Sequence, residues 1–222
     1  MKPIPIPGSV LHAGISLALV VCAPAHAADF VFKRLDAADL KATAIAFRGS
    51  VTAAWDVRDR AGRHILLLTR DVGPSREQPD PDRNERTDLR ASYWRSQDGK
   101  WVESWHIKDG VDCPGLDGHA SFFDRHVTAT DLDKDGIAEI TVPYKMFCGG
   151  GIDPDTVKVI LRQGAQKFAL RGEALVVIPG EASFGGEVKA DRDLYLDRNA
   201  RYRLHLEQVW QRVYKRVYPV KD

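Results

Sequence analysis

Asp131, Asp133 and Asp135 occupy alternate positions and are followed by Gly136, Ile137 and Glu139. Carboxylates spaced in this way on a tight loop can converge on one hard cation, which prefers oxygen ligands. Gly136 permits the sharp turn, the Ile137 carbonyl can add an oxygen, and Glu139 supplies a fourth carboxylate. Three carboxylates crowded together without a cation repel one another, which favours occupancy. A solvated acidic turn is the competing reading, since Asp and Gly are also good turn formers. A helix–loop–helix calcium site would place Glu at position 142. Val142 stands there, and the flanking residues read as strands, so the loop is of another kind.

Other residues able to do chemistry are fewer. His119 and His126, near Asp117 and Asp124, match no zinc spacing, and a loop histidine with an ordinary hydrogen bond is the simpler account. Ser183 lacks the flanking glycines of a nucleophile elbow. Tyr93, Trp94, Trp101 and Trp105 cluster in one hairpin and could form an aromatic platform for sugar rings, or be divided between core and surface. No catalytic constellation is legible.

The elements that must position these residues read as a series of hairpins. Residues 53–58 and 65–69 flank an Asp-Arg-Ala-Gly turn, and Ile65-Leu66-Leu67-Leu68 is apolar enough to be buried on both faces. Residues 92–95 and 100–107 flank Gln97-Asp98-Gly99, a strong hairpin signal because the turn needs positive φ. Residues 127–130 and 137–142 enclose the acidic loop, and 157–161 and 167–171 enclose Gln163-Gly164. The expected fold is mainly β, an antiparallel meander forming an open sheet, a barrel or propeller-like blades. Leu206, Val209, Trp210, Val213 and Val217 recur at helical spacing and predict a C-terminal amphipathic helix over about 199–218, packed on the sheet. Asn199 is its expected N-cap and Pro219 its stop. A shorter helix is expected over 37–47. The polar, proline-containing stretch 71–88 reads as a loop.

Residues 1–27 have the form of a cleavable export signal: Lys2, an apolar run from Ile15 to Val21, then Ala25-His26-Ala27. The run is too short to cross a bilayer core of about 30 Å as a helix, so no transmembrane segment is expected after cleavage. A retained anchor, or a lipid-modified Cys22, are the alternatives. Residues 28–222 are then expected to form one domain in the periplasm or outside the cell. Loss of Lys2 leaves 31 basic against 31 acidic residues, a balance that argues against nucleic-acid partners. Two cysteines remain, Cys113 and Cys148, and an oxidising compartment favours their pairing.

The order DxDxDGxxE between two strands resembles the calcium hairpin loops of FG-GAP and integrin-type propeller repeats. That resemblance covers about residues 127–142 and implies Ca2+ held by Asp131, Asp133, Asp135, the Ile137 carbonyl and Glu139. One such repeat does not make a propeller. A wider resemblance rests on the Trp hairpin with LLLT, the Thr130–Thr141 motif between the two cysteines, Asp153-Pro154-Asp155, the Phe-Gly-Gly segment and a terminal helix with Trp210. In these the chain is similar to a family of small exported bacterial proteins labelled surface polysaccharide biosynthesis proteins. The label implies an envelope role and defines no catalytic residues. The reading is a calcium-stabilised, non-enzymatic binding or accessory module whose partner is an envelope glycan or another envelope protein. An envelope glycan hydrolase and a protein inhibitor using residues 71–88 are the alternatives.

Overall fold

A computed structural model describes residues 30–218. The expected signal segment, with Cys22 and the cleavage position, lies outside the described residues, as does Pro219. Five strands form the first sheet in sequential antiparallel order: β1 (Val31–Arg34), β2 (Ser50–Asp59), β3 (Gly62–Gly73), β4 (Arg86–Gln97) and β5 (Lys100–Asp112). A short helix, α1 (Ala37–Ala42), lies between β1 and β2 and stops short of the expected residue 47. The second sheet contains β6 (Asp117–Phe122), β7 (Thr128–Thr130), β8 (Glu139–Gly149), β9 (Thr156–Gln163) and β10 (Gln166–Glu173). After β11 (Leu175–Val177) and β12 (Phe184–Gly185), strand β13 (Val188–Ala190) pairs with the edge of β10. Helix α2 (Ala200–Val213) and β14 (Lys215–Val217) end the described chain. Both large sheets are open, and β11, β12 and β14 make a small third one.

Side-chain alternation explains how these layers stack. Ala53, Trp55, Val57, Leu66, Leu68, Ala91 and Tyr93 of the first sheet meet Ile140 and Val142 of the second. The opposite face of the second sheet carries Val157, Val159, Leu161, Phe168 and Leu170, which bury Leu206, Val209, Trp210 and Val213 of α2. On the outer side of the first sheet, Ala54, Ile65 and Leu67 pack with Leu40 and Ile45 near α1. Ile65–Leu68 are buried on both faces, as their unbroken apolar run predicted.

Three boundaries differ from expectation. The helix ends at Val213 because Lys215–Val217 leaves it to pair parallel with β11; Val217 is exposed and belongs to that strand. Asn199 sits at the N-cap position, but its amide donates to the Asp193 carbonyl at 2.8 Å and makes no side-chain cap. The polar stretch 71–88 shortens to a loop of 74–85, since Asp71, Val72 and Gly73 pair with Asp88, Thr87 and Arg86.

Cys113 and Cys148 form a disulfide with their Cα atoms 5.6 Å apart. It joins the end of the first sheet to β8 of the second. Gly118 faces it across the β6–β8 pair, where a Cβ would lie only 2.7 Å from the Cys113 Cβ. The bond closes a loop whose ends are 35 residues apart. In the chain-entropy account its removal costs about 4 kcal/mol. The oxidised protein is expected to show no free thiol among these two residues, and Cys113→Ser/Cys148→Ser to lose stability of that order in urea unfolding. A variant as stable as the parent would remove the disulfide from the list of structural supports.

Candidate metal centre

The acidic loop is the turn of the β7–β8 hairpin, closed by the pairing of Thr130 with Glu139. Each aspartate first serves the turn. The Asp131 carboxylate accepts from Gly136 N at 3.1 Å, Asp133 from Asp135 N at 3.2 Å, and Asp135 from Ile137 N at 2.7 Å. Lys134 and Gly136 take positive φ, 63° and 80°, which lets the chain reverse tightly enough for the three side chains to converge. One carboxylate oxygen from each of Asp131, Asp133 and Asp135 lies within 4.8 Å of the others. At that separation each pair repels by roughly 1 kcal/mol even in water, and more in a partly dehydrated loop. The donors are all hard oxygens, so the trio fits a metal ion of the oxygen-seeking class.

The loop is held from three sides. Arg60 N, at the β2–β3 turn, donates to the Gly136 carbonyl at 2.8 Å. Beside it Asp59 is buried and accepts from Ala61 N and from Ala138 N, so the first sheet grips the back of the loop. From α2 the Tyr202 hydroxyl donates to Asp133 at 2.8 Å, and from β9 the Gln163 amide also bonds Asp133. Leu132 packs against the α2 cluster.

Glu139 and Ile137 are placed differently from the aspartates. Glu139 is 1 % exposed and accepts from Leu132 N at 2.7 Å; it stands outside the group of oxygens that converge. Burial, opposed by the Leu132 hydrogen bond and reinforced by the charges of Asp133 and Asp131, pushes its carboxyl up to about 7. Ile137 enters the described geometry through its N–H, on Asp135.

The four aromatic residues of the β4–β5 hairpin do not form one platform. Tyr93 and Trp105 stack at 5.0 Å between the two sheets, with His64 stacked on Tyr93 at 4.9 Å. Trp94 and Trp101 pack on the opposite side, in the cluster beside α1. A bulge decides this. Tyr93 pairs with Trp105 but Trp94 pairs with Glu103, so Ser104 is extra, and the odd-numbered residues of β5 change faces there.

Two carboxylates missed by sequence reasoning anchor polar clefts. Asp155, buried, accepts from His119 at 3.0 Å and Lys145 at 2.9 Å, and Arg216 lies at 3.4 Å. His119 also stacks on Phe147, at 5.3 Å, which accounts for it without a metal. Asp109 accepts from Lys158 at 2.6 Å and the Tyr144 hydroxyl at 2.8 Å. The partners come from residues tens of positions away, so no local spacing announces them. Burial alone would raise both carboxyls. The lysine and His119 or Tyr144 hydrogen bonds and the neighbouring positive charges outweigh it and hold both below the ordinary carboxylate value.

No family model, curated protein or solved structure matches the chain. Among the described residues no helix is long and apolar enough to cross a membrane.

The sign of the Asp155 shift sets a pH dependence. Its carboxyl is lowered on folding, so its contribution is complete above the unfolded value near 4 and is lost as pH falls below that. Asp155→Asn is expected to cost about 3–5 kcal/mol at pH 7, because Lys145 and Arg216 lose their counter-charge and His119 a hydrogen-bond partner. Below pH 4 its stability should fall less steeply than that of the parent. Parallel acid-unfolding slopes for the two proteins would contradict the assignment.

Proposed function

We propose that the protein is an exported, non-enzymatic binding or accessory module of the cell envelope, acting on surface glycan, with Ca2+ in the β7–β8 loop as a structural ion. The convergence of Asp131, Asp133 and Asp135 on a turn clamped by β2–β3, β9 and α2 carries the calcium part of this reading. A cation there relieves the mutual repulsion of the trio and stiffens a turn that touches both sheets and the helix. Ca2+ suits it better than Mg2+, because an irregular, partly hydrated loop tolerates six to eight flexible oxygen ligands more easily than a strict octahedron.

The export signal read from residues 1–27 and the Cys113–Cys148 disulfide support an oxidising compartment. Loops of this sort in extracellular modules work at about 0.1–1 mM calcium. The envelope and glycan part rests on the family resemblance of the sequence. Asp109 and Asp155, the carboxylates of the polar clefts, are neutralised by lysines and lowered, where a glycosidase acid needs a raised carboxyl. Glu139 is raised, yet it is sealed within its own loop.

Calcium added to chelator-treated protein is expected to raise the melting temperature by several degrees, corresponding to about 2.7 kcal/mol at a hundredfold excess over the dissociation constant. Asp131→Asn/Asp135→Asn keeps oxygen acceptors for the turn and should abolish the shift. An unchanged melting temperature in the parent, or an equal shift in the variant, rejects the ion.

A further inference from the structure

The second sheet shows a concentration of positive charge at one end of the face it turns toward β5. Lys158 lies directly opposite Arg171 across β9 and β10, and Arg162 opposite Lys167, with Ile160 and Ala169 between the two pairs. Residues two apart on a strand share a face, so the four cations stand on one side of the sheet. Like charges directly opposite in an antiparallel pair are destabilising. Two such pairs in succession, in a chain of nearly balanced charge, ask for a counter-charge.

The protein supplies part of it. Asp109 takes Lys158, and Asp191 takes Arg171. Among the described residues Lys167 has no carboxylate partner, and it is exposed. Arg162 stacks its guanidinium over Trp105 at 5.3 Å and leaves its Nε buried without a hydrogen-bond partner. A cavity of about 340 Å³ opens here. Lys158, Lys167 and Arg171 line it with Tyr144 and Asp109, and the β5 backbone from His106 to Asp109 closes one side. Its size is at the small end of ligand pockets, enough for a ligand of about one sugar unit. Three basic side chains, Lys158, Lys167 and Arg171, meet one carboxylate, Asp109, in its lining.

The rim is not purely basic. Asp109 adds acceptor oxygens beside the lysines. A bare inorganic anion would face the Asp109 carboxylate unfavourably, whereas a ligand with both an oxyanion and hydroxyl groups satisfies the lysines and Asp109 together. A duplex nucleic acid needs an extended basic face, and the balanced net charge of the chain does not offer one. We propose that this cleft binds an acidic saccharide unit, one sugar ring bearing a phosphoryl or carboxylate group. The proposal deepens the binding-module reading and rests on it in treating the cleft as a recognition site. It does not need the calcium loop.

Calorimetric titration of the purified protein at low salt distinguishes the sources of the oxyanion. The probes are glucose 1-phosphate, an oligogalacturonate, inorganic phosphate, a neutral glucose oligomer and a short DNA duplex. At least one of the two acidic saccharides is expected to bind tighter than about 1 mM. That affinity should exceed those of phosphate and the neutral oligomer, and should weaken as salt is raised to physiological strength. Preference for the first acidic saccharide assigns a phosphoryl group, and for the second a carboxylate. Lys167→Gln changes one exposed side chain without a carboxylate partner and should weaken binding at least threefold with the melting temperature unchanged. Lys33→Gln/Lys41→Gln, near α1, should leave it unchanged. No binding of either acidic saccharide, equal binding of phosphate, the neutral oligomer or DNA, or equal loss in the Lys167 and control variants overturns the proposal. Loss of calcium binding alone would leave it standing, so the two readings fail separately.

Discussion

The second sheet must be apolar on both faces, because the first sheet covers one and α2 the other. Everything else in the molecule is arranged around that constraint. Val157, Val159 and Leu161 on β9 are committed to the helix, while Ile160 faces the first sheet. At roughly 25 cal/mol per Å2 of apolar surface, two buried faces supply most of the favourable energy available to a domain of this size. The polar clefts can then form only at the margins, where one covering layer ends and the sheet continues. The Asp109 and Asp155 sites both lie at such margins, and their lysines and arginines share strands with core residues.

The acidic loop occupies a related position. It is the turn of a hairpin within the shared sheet, and its contacts reach the first sheet through Arg60 and Asp59 and the helix through Tyr202. Its aspartates therefore act twice, as acceptors that shape the turn and as a concentration of charge at the meeting of three layers. Glu139 has a different task. It satisfies Leu132 N from inside the hairpin, at the cost of a carboxyl buried next to two others.

Where the sequence could be read, it was read through local periodicity. The paired strands around Asp98-Gly99 and Gln163-Gly164 follow from alternation and turn chemistry, and so does the helix stripe ending at Val213. The Asp trio was legible because its carboxylates come from one turn. Long-range contacts were not legible. Asp155 collects His119, Lys145 and Arg216 from three elements, and only the folded topology brings them together. The aromatic hairpin shows a subtler failure. Trp101 and Trp105 have the spacing of residues on one face, and a single extra residue, Ser104, puts them on two. Likewise Lys215–Val217 continues a helical pattern in sequence but is taken by a strand, since β11 offers it unpaired backbone groups.

That last pairing has a kinetic meaning. The parallel rungs Leu175–Lys215, Val176–Arg216 and Val177–Val217 can form only after the intervening chain has folded back through α2. Loop closure over that distance is paid before the rungs repay it, so this small sheet belongs to the late steps of folding. Once made, it fastens the helix at its far end. Leu175 N on the Tyr214 carbonyl and Tyr218 N on the Val177 carbonyl extend the fastening at both ends of the rungs, so the residue that ends α2 and the strand that follows it share one partner, β11.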